Sequence, residues 1–403
     1  MKKKFLIGIV AGSMLLSACG NTDVEPVVVS PVEQVNVQED SQDSSTTDVS
    51  LEDTAEQEDD FATEDITDYY SKYYEYMLNN PAENLIFSPE SFNSALAMYS
   101  QLLVPGNKAE FDALFGDKNY LNYESIDGLK FVNRLWVNSD RNINLQSDAL
   151  RHNPFTYPMS MHDSGKATQE KNQFVADNTD NFIMSTPSVL SDETLFDAMS
   201  IVYFKDKWLG GDKMLDDDTT EFTNKDGSVS DVHMFNDNGS YILKSSNAVG
   251  YELKYKNGMT CTVILPNEGV SLDNVNIDAF IRNEVEYESA TVYAKLPEFE
   301  AQCMYNMNLT DFGFSGNPMI NPEITEESSD MPSIIQVAKI KFDHEGTEAA
   351  AVTEVMVTSS AVMEDPQPVY EFIVDRPFVY YITDTTNDDI AFIGAVQHLE
   401  SEG

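Results

Sequence analysis

A chain of 403 residues carries 69 acidic against 24 basic side chains, a formal net charge of −45 at pH 7. Binding to nucleic acid rests on Lys and Arg neutralising phosphates, so this balance argues against nucleic acid as a partner. Three cysteines are too few for a disulfide framework to hold the fold.

The chain opens with Lys2, Lys3 and Lys4 and an apolar run from Phe5 to Leu16. That run is too short to cross a hydrocarbon core of about 30 Å as a helix, and it has the shape of a secretory signal. It ends in Leu16-Ser17-Ala18-Cys19-Gly20, which resembles the bacterial lipobox, where the Cys thiol takes a diacylglyceryl group and the chain is cut just before it. Residues 1–19 are therefore predicted to be a lipoprotein signal peptide ending at Cys19. The mature chain is expected outside a bacterial cell, on a membrane surface through its lipid. An ordinary signal peptide with an incidental cysteine is the alternative.

From Gly20 to Asp65 there is no Lys or Arg, and Asp, Glu, Ser, Thr, Val and Pro dominate. Such a segment buries too little apolar surface to offset its ordering entropy, which predicts a disordered acidic linker over 20–62. From about Phe61 the mix turns to Tyr, Phe, Met, Ile and Leu. The predicted folded part, 63–400, is roughly 340 residues long, large for one core.

Ile66, Tyr69, Tyr70, Tyr73, Tyr74 and Met77 recur at helical spacing and predict a helix over 65–80, ended by Pro81. Asn84 to Phe87 reads as a short buried strand and Glu90 to Leu103 as a helix opened by Pro89. Phe131 to Val137 alternates as a strand does, Lys171 to Ile183 reads as helical, and Ala198 to Trp208 as a strand. Further strands are predicted at 232–235, 251–255, 259–266, 291–297, 334–342, 370–374, 378–382 and 390–395, with Asn236-Asp237-Asn238-Gly239 as turn chemistry between two of them. Helices come first and sheets later, the order of an α+β domain. Cys261 and Cys303 could pair or remain as buried thiols.

No enzyme motif stands out. Gly313-Phe314-Ser315-Gly316 lacks the spacing of a nucleophile elbow. His344-Glu345 has Glu348 where a zinc helix needs its second His, and Asp216-Asp217-Asp218 has Glu221 where a calcium loop needs Gly. No cofactor or metal is expected.

Residues 346–358 are the most informative. Thr347, Ala349, Ala351, Thr353, Val355 and Val357 share one face of an extended chain, small and apolar, while Glu348 and Glu354 lie on the other. Without Pro, such a segment can stand inside a sheet. Ser359 to Pro368 then reads as an exposed loop. On periodicity alone, a permanent strand followed by a loop remains open.

Glu345-Gly346-Thr347-Glu348-Ala349-Ala350-Ala351 resembles the hinge of the reactive-centre loop of serpins, inhibitors of serine proteases. Asn84 to Ser91, Asn172 to Val175 with Thr179 and Ile183, Tyr203 to Trp208, Ile264-Leu265-Pro266, Asp375 to Phe378 and Ile393-Gly394 are similar to other family blocks, in family order over most of 63–398. The resemblance implies three β-sheets with about eight or nine helices and an exposed reactive-centre loop over about 345–370. It implies a suicide substrate rather than an enzyme: a protease is acylated at the loop, the hinge inserts into the main sheet, and deacylation stalls. Counting from Gly346 by family spacing places the reactive bond between Ser360 and Ala361. Small residues there suit elastase-like or subtilisin-like proteases, while Met363-Glu364 offers a second cleavage site for a chymotrypsin-like one. The resemblance puts Ser88, Ser91 and Gln336 in the shutter beneath the sheet, Gln336 replacing the usual His and Ser200 the usual Asn. It puts Trp208 in the breach where the loop enters. His344 replaces a common acid, and Val352 is bulkier than usual. A monomer is expected, and a non-inhibitory surface-binding relative is the alternative.

Overall fold

Tyrosines set the first helix. In the computed structural model, α1 (Asp68–Leu78) turns Tyr70, Tyr73, Tyr74 and Met77 into the interior, the three-and-four spacing of a buried stripe. The described residues are 68–115, 120–216, 218–328, 334–347 and 367–401. Cys19, the signal and the acidic linker fall outside them, as do Glu348, Ala349, Ala350, Ala351, Ser360 and Ala361.

After β1 (Asn84–Phe87) comes α2 (Pro89–Ser100). Ser88 caps it, its side chain accepting from Ser91 N at 3.2 Å, and Pro89 takes the first position, where no N–H is needed. The first half continues with α3 (Pro105–Phe115), β2 (Leu129–Asn138), α4 (Asp148–Arg151), β3 (Thr156–Met159), α5 (Ser164–Asn178) and β4 (Phe196–Phe204). β5 (Asp206–Lys207) follows β4 after a one-residue break. Then come β6 (Met214–Leu215), β7 (Thr220–Thr223), β8 (Val229–Val232), β9 (Met234–Lys244), β10 (Ala248–Lys254) and β11 (Thr260–Pro266). The chain ends with α6 (Ile277–Ile281), β12 (Glu286–Pro297), β13 (Phe299–Met307), β14 (Ile334–Phe342), β15 (Gly346–Thr347), β16 (Val369–Ile373), β17 (Phe378–Asp384) and β18 (Asp389–Val396). Helices do lead and sheets do follow. Among the described residues there are six α-helices and three short 3-10 segments.

A nine-stranded sheet runs β1-β18-β17-β11-β10-β9-β12-β16, with β6 also on β9. Its centre is apolar throughout: all eight residues of β18 are buried. Gly394 is obligatory in that strand because a Cβ there would lie 2.1 Å from Tyr380 Cζ and 2.5 Å from the Leu85 carbonyl oxygen. The Tyr380 hydroxyl uses the space to donate to Leu85 O at 3.2 Å. Cys261 on β11 and Cys303 on β13 are free and buried, and burial pushes the Cys261 thiol up to about 12.

Two expectations are corrected. Asn236 to Gly239 is not a turn but the middle of β9, paired with β12 from Lys295 back to Val292. Its polar side chains stay in strand because they have partners: Asp237 holds Lys213 Nζ at 2.7 Å and the Tyr251 hydroxyl at 2.7 Å, and Asn236 bonds Asp216. The helix expected over 171–183 begins earlier, at Ser164, where Asp163 caps Lys166 N at 3.1 Å. It ends by Asn178, since Asp180 and Asn181 take positive φ of 50° and 65°.

Besides the β7-β8 hairpin and the short β15-β5 pair, two smaller ladders flank the main sheet. β3-β2-β4 forms one, with β2 central, and β13-β14 the other. Among the described residues β4 bonds only β2 and β14 only β13, so each presents an open edge.

Candidate functional site

The open edges of β4 and β14 face one another across a cavity of about 370 Å³. Ser200 and Val202 of β4 and Gln336 and Ala338 of β14 stand on its sides, with Ser88 and Leu96 from α2 on its floor. β4 alternates as a strand must: Met199, Ile201 and Tyr203 pack toward α5, while Ala198, Val202 and Phe204 pack toward the main core. The cavity is therefore a slot within the sheet, between α2 on one face and α5 on the other.

At the slot's floor the sequence expectation for Ser88, Ser91 and Gln336 meets direct geometry. Gln336 reaches from β14 to the cap of α2, accepting from Ser88 N at 3.0 Å and donating from Nε2 to Ser88 O at 2.8 Å. Ser91 reaches the other way, its hydroxyl donating to Ser200 O on β4 at 2.9 Å. One helix start thus ties both edges. Gln336 is buried and bonded through both its amide oxygen and its amide nitrogen, a two-way bond that a smaller or charged side chain would not make. Ser200 contributes its carbonyl, and its own buried hydroxyl has no partner among the described residues.

At the head of the slot, Trp208 is wholly buried, stacked on Tyr255 at 4.5 Å and edge-on to Phe342 at 5.2 Å. Its Nε1 donates to Asp343 O at 2.9 Å, linking the β4 side to the β14 side. A tight turn follows β14: Asp343 N donates to Gly346 O at 3.0 Å and Gly346 N to Asp343 O at 3.1 Å. The chain returns as β15, where Gly346 pairs with Lys207 and Thr347 with Asp206, antiparallel to β5. Gly346 sits at φ 135°, and a Cβ there would lie 2.4 Å from Asp206 O and 2.6 Å from Lys207 Cα. Only glycine serves at that position. Because β15 folds back from β14 and opposes β5, a continuation of it down the slot would run antiparallel to both β14 and β4.

Some residues that shape the ends of this region were not legible in the sequence. Glu298 accepts from His344 N at 3.0 Å and pairs with its Nδ1, fixing the turn before Gly346. At the other end of the loop, β16 lies parallel to β12 over five rungs, from Thr291↔Val369 to Lys295↔Ile373. Lys244 of β9 bonds Glu288 and the Tyr370 hydroxyl, and Tyr370 donates to Glu288 at 2.9 Å. Those bonds push the Lys244 ammonium up to about 12, the Glu288 carboxylate first among the causes.

Comparison with known proteins agrees with this geometry. The family model described as "Serpin (serine protease inhibitor)" matches residues 66–399. Iripin-1 of Ixodes ricinus is 24% identical over 356 residues, covering 79% of this chain and 90% of its own. Leukocyte elastase inhibitor A of Mus musculus is 23% identical over 363 residues, covering 79% and 94%. Among solved structures, the thermophilic serpin tengpin in its native state superposes with a TM-score of 0.70 at 20% identity, covering 87% of this chain and 96% of that one. Thyroxine-binding globulin in complex with thyroxine gives 0.65 at 19%, covering 84% and 99%.

Replacing Gln336 by Ala removes two buried hydrogen bonds and takes the partner from the Ser88 N–H, while Ser88 O keeps Phe92 N at 3.1 Å, a loss of about 1–3 kcal/mol in urea unfolding. An unchanged midpoint would remove Gln336 from the tie. The hydrogen bond to Glu298 raises the His344 pKa above its ordinary value of 6.5. A raised folded-state pKa contributes stability that is complete below the unfolded value and is lost as pH rises through the folded one. The thermal midpoint of the wild type should therefore exceed that of Glu298→Gln most below pH ~6, with the gap narrowing above neutrality. A gap that widens with pH contradicts this assignment.

Proposed function

The chain belongs to the serpin family, and on that premise we propose that it is a suicide inhibitor of serine-type endopeptidases whose cleaved loop enters the slot between β4 and β14. The observation that carries this reading is the direction of β15. Gly346 and Thr347 stand at the head of the slot, aimed so that the residues after them would lie antiparallel to two open strand edges.

In the proposed cycle, the protease's serine oxygen attacks the carbonyl carbon of Ser360. The bond to Ala361 breaks, its amine leaves with a proton from the protease's histidine, and an ester to Ser360 remains. Release of the loop's far end lets 347 onward insert. About a dozen new ladder bonds, each contributing roughly 1 kcal/mol net, would supply on the order of 10 kcal/mol. Some fourteen inserted residues at about 3.3 Å each would carry the ester-linked protease about 45 Å. Dragged against the body, the protease loses its oxyanion geometry and the ester persists. Serpin loop insertion is itself a standing example of strain released by proteolysis.

Ser360 and Ala361 favour a protease with a shallow primary pocket, elastase-like or subtilisin-like. Cys19 would carry the lipid that holds a monomeric inhibitor on the outer side of a bacterial membrane.

Mixing the protein with pancreatic elastase and with subtilisin should give an adduct that survives boiling in detergent. Loop cleavage without an adduct would favour a non-inhibitory binding protein instead. Thr347→Arg should abolish the adduct while leaving the loop cleavable. For the anchor, Cys19→Ser should move the expressed protein from the membrane fraction to the medium, and retention on the membrane would refute lipidation at that residue.

A further inference from the structure

The slot's outer face is covered by α5 and the residues that follow it. Ile183, Thr186 and Val189 stand against the cavity there. This strap is bound to its own helix: Thr186 N donates to Asn172 Oδ1 at 3.1 Å, Leu190 N to Thr168 Oγ1 at 3.1 Å, and Ser164 Oγ to Leu190 O at 2.6 Å. Helix and strap therefore form one unit. It spans the slot, since the Phe182 ring lies 6.1 Å from that of Tyr203 on the β4 side and under Lys339 Nζ of β14 at 4.4 Å.

One residue of this unit breaks the usual rule for a buried helix face. Ala167, Lys171 and Val175 recur every four residues and are all buried, so the stripe has a lysine where an apolar side chain would pack. Lys171 is 0% exposed, and its ammonium donates to the Ser188 carbonyl at 2.8 Å, to the Ser188 hydroxyl, and to Asp197 Oδ2 at 3.1 Å. An ammonium removed from water costs several kcal/mol before its partners offset it, and an apolar residue of like volume often does as well or better for stability. What the lysine adds is a tie: Ser188 belongs to the strap, and Asp197 to the open edge of β4.

We propose that Lys171 is a positioning residue for loop insertion, a latch that clamps the strap to β4 and sets how fast a strand can enter the slot. The proposal rests on the inhibitory reading above. Alternate side chains of an inserted strand point to the face the strap covers, so the strap must lift from β4 as the strand passes. Lifting separates Ser188 from Asp197, and the Lys171 contacts break in the course of insertion.

Lys171→Met and Asp197→Ala each remove the contact between Lys171 and Asp197 while leaving the bait loop unaltered. With elastase or subtilisin, whichever gives an adduct with the wild type, the ratio of adduct to cleaved loop reads insertion against deacylation. Both variants should raise the rate of insertion about tenfold, the factor given by 1.36 kcal/mol of barrier. Tryptophan fluorescence after nicking, with Trp136→Phe in every protein so that Trp208 alone reports, reads that rate, and the rate of loop cleavage itself should not change. The double variant should do no more than either single one, because the two side chains act as one contact. Wild-type insertion rates in both single variants overturn the latch while sparing the inhibitory reading. A wild-type protein that gains no thermal midpoint on nicking overturns that reading and the latch with it.

Discussion

Two strand edges that face each other without bonding are the constraint on which this architecture turns. Backbone N–H and C=O groups on a buried edge demand partners, and a sheet normally supplies them from the next strand. Here β4 and β14 stand unpaired on either side of the slot, held by groups that are not part of the ladder. Gln336 and Ser91 tie both edges to the start of α2. Trp208 and the two-rung pairing of β15 on β5 close the head. The folded body is thus arranged around bonds it does not make.

The ties are few and mostly neutral. Each hydrogen bond of this kind contributes about 1 kcal/mol net, so the floor and head together hold the halves by only a few kcal/mol. A full ladder on both edges would release more than that. On the proposed function this imbalance is the source of the driving force, and the ties are its governors. The Lys171 contact belongs with them, although it acts from the covering face rather than from within the sheet.

Much of the frame was legible in the sequence because local chemistry set it. Ser88 and Pro89 announce the start of α2, and the tyrosine stripe announces α1. β13 was there to be read as well: Phe299, Ala301, Cys303, Tyr305 and Met307 alternate inward without a break, yet the strand was not predicted. Asn236 to Gly239 misled for the opposite reason, since the partners that keep it extended, Lys213 and Tyr251, lie on other strands or connections. In the site, Gly346 and Trp208 stood out by family pattern. Their shared acceptor, the carbonyl of Asp343, was not, because backbone oxygens carry no residue signature. The pairing of Lys171 with Asp197 was invisible for a related reason: a lysine within a helix suggests solvent until the strand beneath is known.

The two ends of the bait loop are fastened unequally. Upstream it joins a two-rung ladder, while downstream it enters five rungs of β16 on β12, clasped by Lys244, Glu288 and Tyr370. Once cut, the new amino terminus would stay moored to the nine-stranded sheet as the acyl end departs. Resealing the peptide needs the amine to meet the ester again, and that encounter is lost with the first residues inserted. On the proposed function, a protease that had opened this bond could not recover its freedom by running the reaction backward.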